Sequence, residues 1–190
     1  MLSERIMGAI TFRKGIYAEV EQDASFTSTA WILVAVVAFL NQLGANASGE
    51  FVNWIVGTVV GTIFTIAGFA VGAFVINWVG KSLFNADVTF EEMVRTLGLA
   101  YVWNVVGVIG VLSALSTALS CLLAPVQVIA AILMVVAWFI AAKEALDLEW
   151  GQTIITVILG FVVLMVISLI SGLVLGIMGF GAAAVGGLFS

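Results

Sequence analysis

The chain has 190 residues, 63% hydrophobic and 9% charged, with a formal net charge of −5. A soluble domain is about 45–50% apolar and about 25% charged, so a water-soluble globule is excluded and lipid becomes the solvent. Six Lys and Arg give no basic patch for nucleic acid, the lack of His excludes a His-ligated haem or zinc, and the single Cys121 excludes an intrachain disulfide.

Residues 1–26 carry charges throughout and lack the long apolar run of a signal peptide. Leu2, Ile6, Ile10, Tyr17 and Val20 recur at three- and four-residue steps with one skipped turn. That spacing predicts an N-terminal amphipathic helix in the membrane interface, with a solvated tail as the competing reading. Five apolar stretches follow, at about residues 27–43, 51–80, 99–119, 125–146 and 153–176. They predict one transmembrane domain over residues 27–176, an all-α polytopic membrane helix bundle. The first stretch is near the lower limit of about 17 residues for a span. The second would rise about 45 Å against a hydrocarbon core of about 30 Å, so its FVNWIV turns are expected at the interface, or the helix tilts.

Thr89-Phe90-Glu91-Glu92 reads as a capping box that starts the third helix near Phe90, with Gly98 a candidate bend. Pro125, the one proline, suits the first turn of the fourth helix and makes residues 120–124 a tight hairpin. The Gly/Ala-rich tail, residues 177–190, is uncharged and too short to span again. It could extend the fifth helix, fold back, or be mobile.

Five spans place Arg5, Arg13, Lys14, Lys81, Arg95 and Lys143 on one side and no cation on the other. By the positive-inside rule the N-terminus is cytosolic and the C-terminus outside. Trp31, Trp78, Trp103 and Trp150 fall near inner span ends, as an aromatic belt requires; Trp138 falls mid-span.

Helices in lipid pack through small residues. The second stretch carries a stripe of Gly57, Gly61, Gly68 and Gly72. The third offers Gly107, Gly110, Ala114 and Thr117, and the fourth Ala130, Ala137, Ala141 and Ala145. The fifth offers Ser168, Gly172, Gly176 and Gly179. These stripes serve packing within the bundle or against a second subunit.

No Asp, Glu, Lys or Arg falls in the centre of a span, which argues against a proton relay or ion-coupled cycle. Asn41, Gln42, Asn77 and Asn104 lie nearer span ends, and the central polar groups are mostly hydroxyls, such as Thr62, Thr65, Ser113 and Ser116. Hydroxyls can back-bond to their own helix and need no ligand. Without His, and with Lys confined to loops, no nucleophile–base pair forms. Cys121 has no obvious cationic neighbour to activate it. No catalytic, cofactor-binding or metal-binding residue is therefore predicted. The densest polar surface is the cytosolic one. Its candidate partner-face residues are Arg13, Lys14, Lys81, Glu91, Glu92, Arg95, Lys143 and Asp147.

The segment FEEMVRTLGLAYVWNVVGVIG, Phe90–Gly110, resembles the Yip1-domain pattern in which an amphipathic turn leads into Arg-x-Leu-Gly-x-Ala-Tyr. AWFIAAKEALDLEWGQTIITVILGF, Ala137–Phe161, is similar to the family's basic-x-Ala-Leu element before the last span. The resemblance covers roughly Phe12 to Ser171. Two departures stand out: Trp103-Asn104 and Thr11–Lys14 occupy regions where the family often has proline. The Asp-Leu-Tyr-Gly-Pro motif of eukaryotic members has no counterpart, so the chain looks like a prokaryotic member, and the Rab binding of those relatives does not carry over. The resemblance implies a five-span protein with a cytosolic N-terminus, in the plasma membrane if prokaryotic. The function expected is non-enzymatic: organising membrane, or docking other membrane proteins or a second copy through the cytosolic face. An accessory subunit of a larger complex and an oligomeric small-solute transporter or channel are the alternatives.

Overall fold

The computed structural model describes residues 2–47, 50–114 and 116–177. Gly179 and the tail beyond Ile177 lie outside the described residues.

Two short helices, α1 (Leu2–Ile10) and α2 (Ile16–Gln22), precede α3 (Phe26–Ala45) and α4 (Phe51–Phe84). The third span is composite: α5 (Phe90–Ala100), a 3-10 segment (Tyr101–Ile109) and α6 (Gly110–Ser113). Then come α7 (Thr117–Leu146) and α8 (Trp150–Ile177). Among the described residues all regular structure is helical, and five helices are long and apolar enough to cross a membrane.

The single N-terminal helix expected from spacing is broken in two. Thr11 and Arg13 donate back to the carbonyls of Met7 and Gly8 at 2.9 and 2.7 Å, which closes α1. Phe12 (φ 52°) and Gly15 (φ 77°) then take left-handed conformations and reverse the chain. The apolar face of α2 does not meet lipid: Ile16, Tyr17 and Val20 are buried, with α2 packed on α5 and α7. Only in α1 do the apolar residues of that pattern stay exposed, Leu2 and Ile10, joined by Met7.

At the far end of α4, Asn85 (φ 55°) stops the helix, and the Ala86 N–H reaches back to the Gly80 carbonyl at 3.1 Å. The capping box forms as the sequence predicts. Thr89 Oγ1 accepts from the Glu92 N–H at 3.2 Å, and the Glu92 carboxylate accepts from the Thr89 N–H at 2.6 Å. Gly98 lies within α5, where a Cβ would stand 3.1 Å from that of Ala30; it serves close approach to α3.

The fourth helix starts at Thr117, eight residues before Pro125, which sits inside it. The start is set by Ser116, whose hydroxyl accepts from the Leu119 N–H at 3.2 Å. Ser120 Oγ also donates to the Ser113 carbonyl at 3.0 Å, so the turn lies between Ser113 and Thr117. One missing N–H at Pro125 is tolerated in a membrane helix.

Around the bundle, α3 packs on α4, α4 on α8, α8 on α7, α7 on the 3-10 segment and α5, and these on α3. An aromatic cluster fills the middle. Phe69 makes edge contacts with Trp31, Tyr101 and Trp138 at centroid distances of 5.7, 5.5 and 6.1 Å. Trp31 therefore points into the bundle, and Trp103 stacks on Phe12 at 5.9 Å; Trp78 and Trp150 remain exposed. The expected aromatic belt is thus halved, because two of its four members serve packing.

Candidate functional site

The charge-bearing end of the bundle is assembled from distant parts of the chain. α2 begins after a glycine that supplies no side-chain cap; the Ile16 N–H donates to the Arg13 carbonyl at 3.2 Å, and the N–H groups that follow need acceptors from outside the helix. Glu144, on the last turn of α7, supplies one from across the fold: its carboxylate accepts from the Ala18 N–H at 3.0 Å. Tyr17 is buried beside it, and burial followed by the Glu144 charge pushes its phenol above the ordinary range.

Arg95, expected on the partner face, is buried, with 6% of its surface exposed. Its Nη1 donates to Thr27 Oγ1 at 3.0 Å, and its Nη2 lies 3.7 Å from the Glu92 carboxylate. Burial follows from the position of α5, which is enclosed by α2, α3, α4 and α7. Arg95 thus ties the third span to the start of the first and offers little surface to a partner.

Glu21 shares this charge cluster. Its carboxyl is pushed up to about 7, first by burial and then by the like charges of Asp147, Glu92 and Glu144, against an opposing pull from Arg95. At the rim, Arg13 pairs with Glu19 at 2.6 Å, and Arg5 lies 2.8 Å from Asp23. Hydrogen bonds from Ser25 and Arg5 hold the Asp23 carboxyl below its usual range.

Of the predicted face residues, Arg13, Lys14, Lys81, Glu91 and Asp147 are exposed. Glu92 is half-buried and spent on the capping box, and Lys143 is half-buried, its Nζ 5.4 Å from the centroid of the Trp150 ring. Sequence reasoning missed Glu21 and Glu144 as interface groups. No local signal marks them, since Ala18 and Glu144 are 126 residues apart.

The predicted packing glycines divide. Gly57 and Gly61 face α3, where an added Cβ would meet Asn46 Oδ1 at 2.9 Å and Gln42 Oε1 respectively. Gly68 and Gly72 are buried. Gly107 and Gly110 also face α3: a Cβ on Gly107 would collide with Asn41 Nδ2, and one on Gly110 would stand 2.7 Å from the Gly44 carbonyl oxygen. Gly172 is different, with nothing within 4 Å of a built Cβ, and Gly176 is exposed.

The amides at the end of α3 complete these contacts. Asn41 donates to the Asn104 carbonyl at 2.9 Å, Gln42 donates to Thr65 Oγ1 at 2.9 Å, and Asn46 donates to Gln42 Oε1 at 2.8 Å. At the other end, Asn77 donates to the Val88 carbonyl at 3.0 Å. The hydroxyls behave individually. Thr62 back-bonds to Thr58 at 2.7 Å as expected, Thr65 serves Gln42, and Ser116 is a helix cap.

In comparison with known proteins, the family model of the Yip1 domain matches residues 7–172. No curated protein and no solved structure gives a significant match.

Proposed function

The chain belongs to the Yip1-domain family, a family of multi-pass integral membrane proteins, and on that premise we propose that it is non-enzymatic and acts through the end of the bundle that carries its charges. It organises membrane or docks partner proteins there, with this end cytosolic and, in a prokaryotic cell, the plasma membrane as its site.

The observation that carries this reading is the grouping of exposed charge. Arg13, Lys14, Lys81, Glu91 and Asp147 come from four separate segments yet lie at helix ends that an antiparallel bundle brings to one side. Over this end as a whole the six Lys and Arg stand among ten of the eleven acids, a mixed surface that suits pairing with a specific protein; attraction to anionic lipid needs a cationic excess. Beside it, the exposed Leu2, Met7 and Ile10 of α1 suit contact with the acyl boundary.

The test is copurification from native membranes after mild solubilisation. Lys14→Glu with Lys81→Glu is expected to remove a stoichiometric partner while the protein still inserts and elutes as a single species. Robust solute flux in liposomes, unaffected by these reversals, would replace this reading with the transporter alternative.

A further inference from the structure

The end of the bundle remote from α1 and α2 holds an open cavity of about 440 Å³ between α3, the 3-10 segment with α6, and α7. Its volume falls in the range of about 300–1,000 Å³ usual for small-molecule sites. Gly44, Gly107 and Gly110, which pack against one another where α3 meets the 3-10 segment, form its floor, and the exposed Ala45 and Ala114 form part of its rim. Among the described residues its polar side chains are Asn41, Ser113 and Gln127.

Gln127 is the informative residue. It lies on α7 about 7 Å from the helix midpoint, at about 1.5 Å per residue, and therefore at hydrocarbon depth. Its side-chain amide makes no hydrogen bond to the described residues, and neither does the Ser113 hydroxyl. The Asn41 amide donates to Asn104, while its carbonyl oxygen accepts from none of the described residues. A primary amide facing lipid without a partner costs on the order of 1–3 kcal/mol even by the lower mutational scales. Aimed into a cavity, the same amide can be satisfied by whatever occupies it.

We propose that this cavity binds a neutral, hydroxyl-bearing group of about the size of glycerol or a single sugar. Three considerations fix that chemistry. Among the described residues no charged side chain lines the cavity, so neither an anion nor a cation is compensated by them. The amide of Gln127 and the hydroxyl of Ser113 each both donate and accept, and the Asn41 oxygen accepts, which matches a group whose hydroxyls do both. The remaining described lining is of small residues, Ala45, Ala47 and Ala114 beside the glycines, which leaves room for a compact group. The hydroxyls can belong to the headgroup of a neutral lipid or to a free polyol; the recognition is the same.

The full chain in phosphatidylcholine nanodiscs is the sample, because glycoside detergents carry the very chemistry under test. The probes are a monoglucosyl diacylglycerol and free methyl glucoside, with binding read by native mass spectrometry and by the shift in unfolding temperature. The glucosyl lipid is expected to bind at least tenfold more tightly than phosphatidylcholine. Gln127→Leu, which removes an unpaired amide and should leave the protein at least as stable, is expected to abolish that preference; Ser113→Ala should weaken it several-fold. Binding of methyl glucoside with the same dependence on Gln127 upholds the site and assigns it to a free polyol. No preference for either probe, or a preference unchanged in Gln127→Leu, overturns the proposal.

Discussion

Arg95 and Glu21 meet among more acids than bases, and this imbalance decides what substitutions there do. In Arg95→Glu a fresh carboxylate would join Glu21, Glu92 and Glu144 at a site with 6% exposure. Breaking a buried charge arrangement costs about 3–5 kcal/mol, so this variant is expected to unfold at a clearly lower temperature in detergent, whereas Lys81→Glu at an exposed site should not. Glu21 gives the cluster a pH dependence. Its folded pKa of about 7 lies above the ordinary value of 4.5, so the folded state binds this proton more tightly than the unfolded one. The resulting stability is complete below about 4.5 and is lost as the pH rises through about 7. The unfolding temperature is expected to fall between pH 5 and 7.5, and Glu21→Gln should flatten that slope.

Among the elements, the 3-10 segment explains why the small residues of span three work. At three residues per turn, Asn104, Gly107 and Gly110 stack on one face, whereas an α-helix would spread them by about 60° per step. That face meets α3 at Asn41 and Gly44. A Cβ on Gly44 would collide with the Gly107 carbonyl oxygen, and backbone on both sides leaves little to yield. Gly44→Leu and Gly107→Leu are therefore expected to lower the unfolding temperature sharply, by at least the about 1–3 kcal/mol typical of overpacking, while Gly172→Leu should be nearly silent. The apolar stretches and the capping box were legible because each depends on neighbours in sequence. Gly107 and Gly110 could be read as small, but not as one face, since the winding that aligns them depends on α3. Pro125 misled for a related reason: the Ser116 hydroxyl, nine residues earlier, already starts α7, and the rule for proline at helix starts ranks positions without seeing that cap. Sequence reasoning passes over Gln127, because the cavity that gives it meaning is formed by α3 and the third span, distant from it in the chain.

For the whole molecule, five helices of alternating direction put both kinds of site at opposite ends, and orientation becomes the quantity to measure. In a Cys121→Ser background, Glu91→Cys is expected to react only with membrane-permeant thiol reagents and Ala47→Cys with impermeant ones. Labelling of both from the same side would refute the five-span arrangement. The length of span three bears on how such a molecule meets its membrane. Fifteen residues at about 1.5 Å and nine at about 2.0 Å carry Phe90–Ser113 across about 40 Å. Wound throughout as an α-helix, the same residues would end about 4.5 Å short and half a turn out of phase. Span three is in this respect a screw: it cannot shorten without turning. A thinner bilayer met by rewinding it would swing Gly110 and Ser113 away from α3, so that membrane thickness and the rotation of this end are a single coordinate.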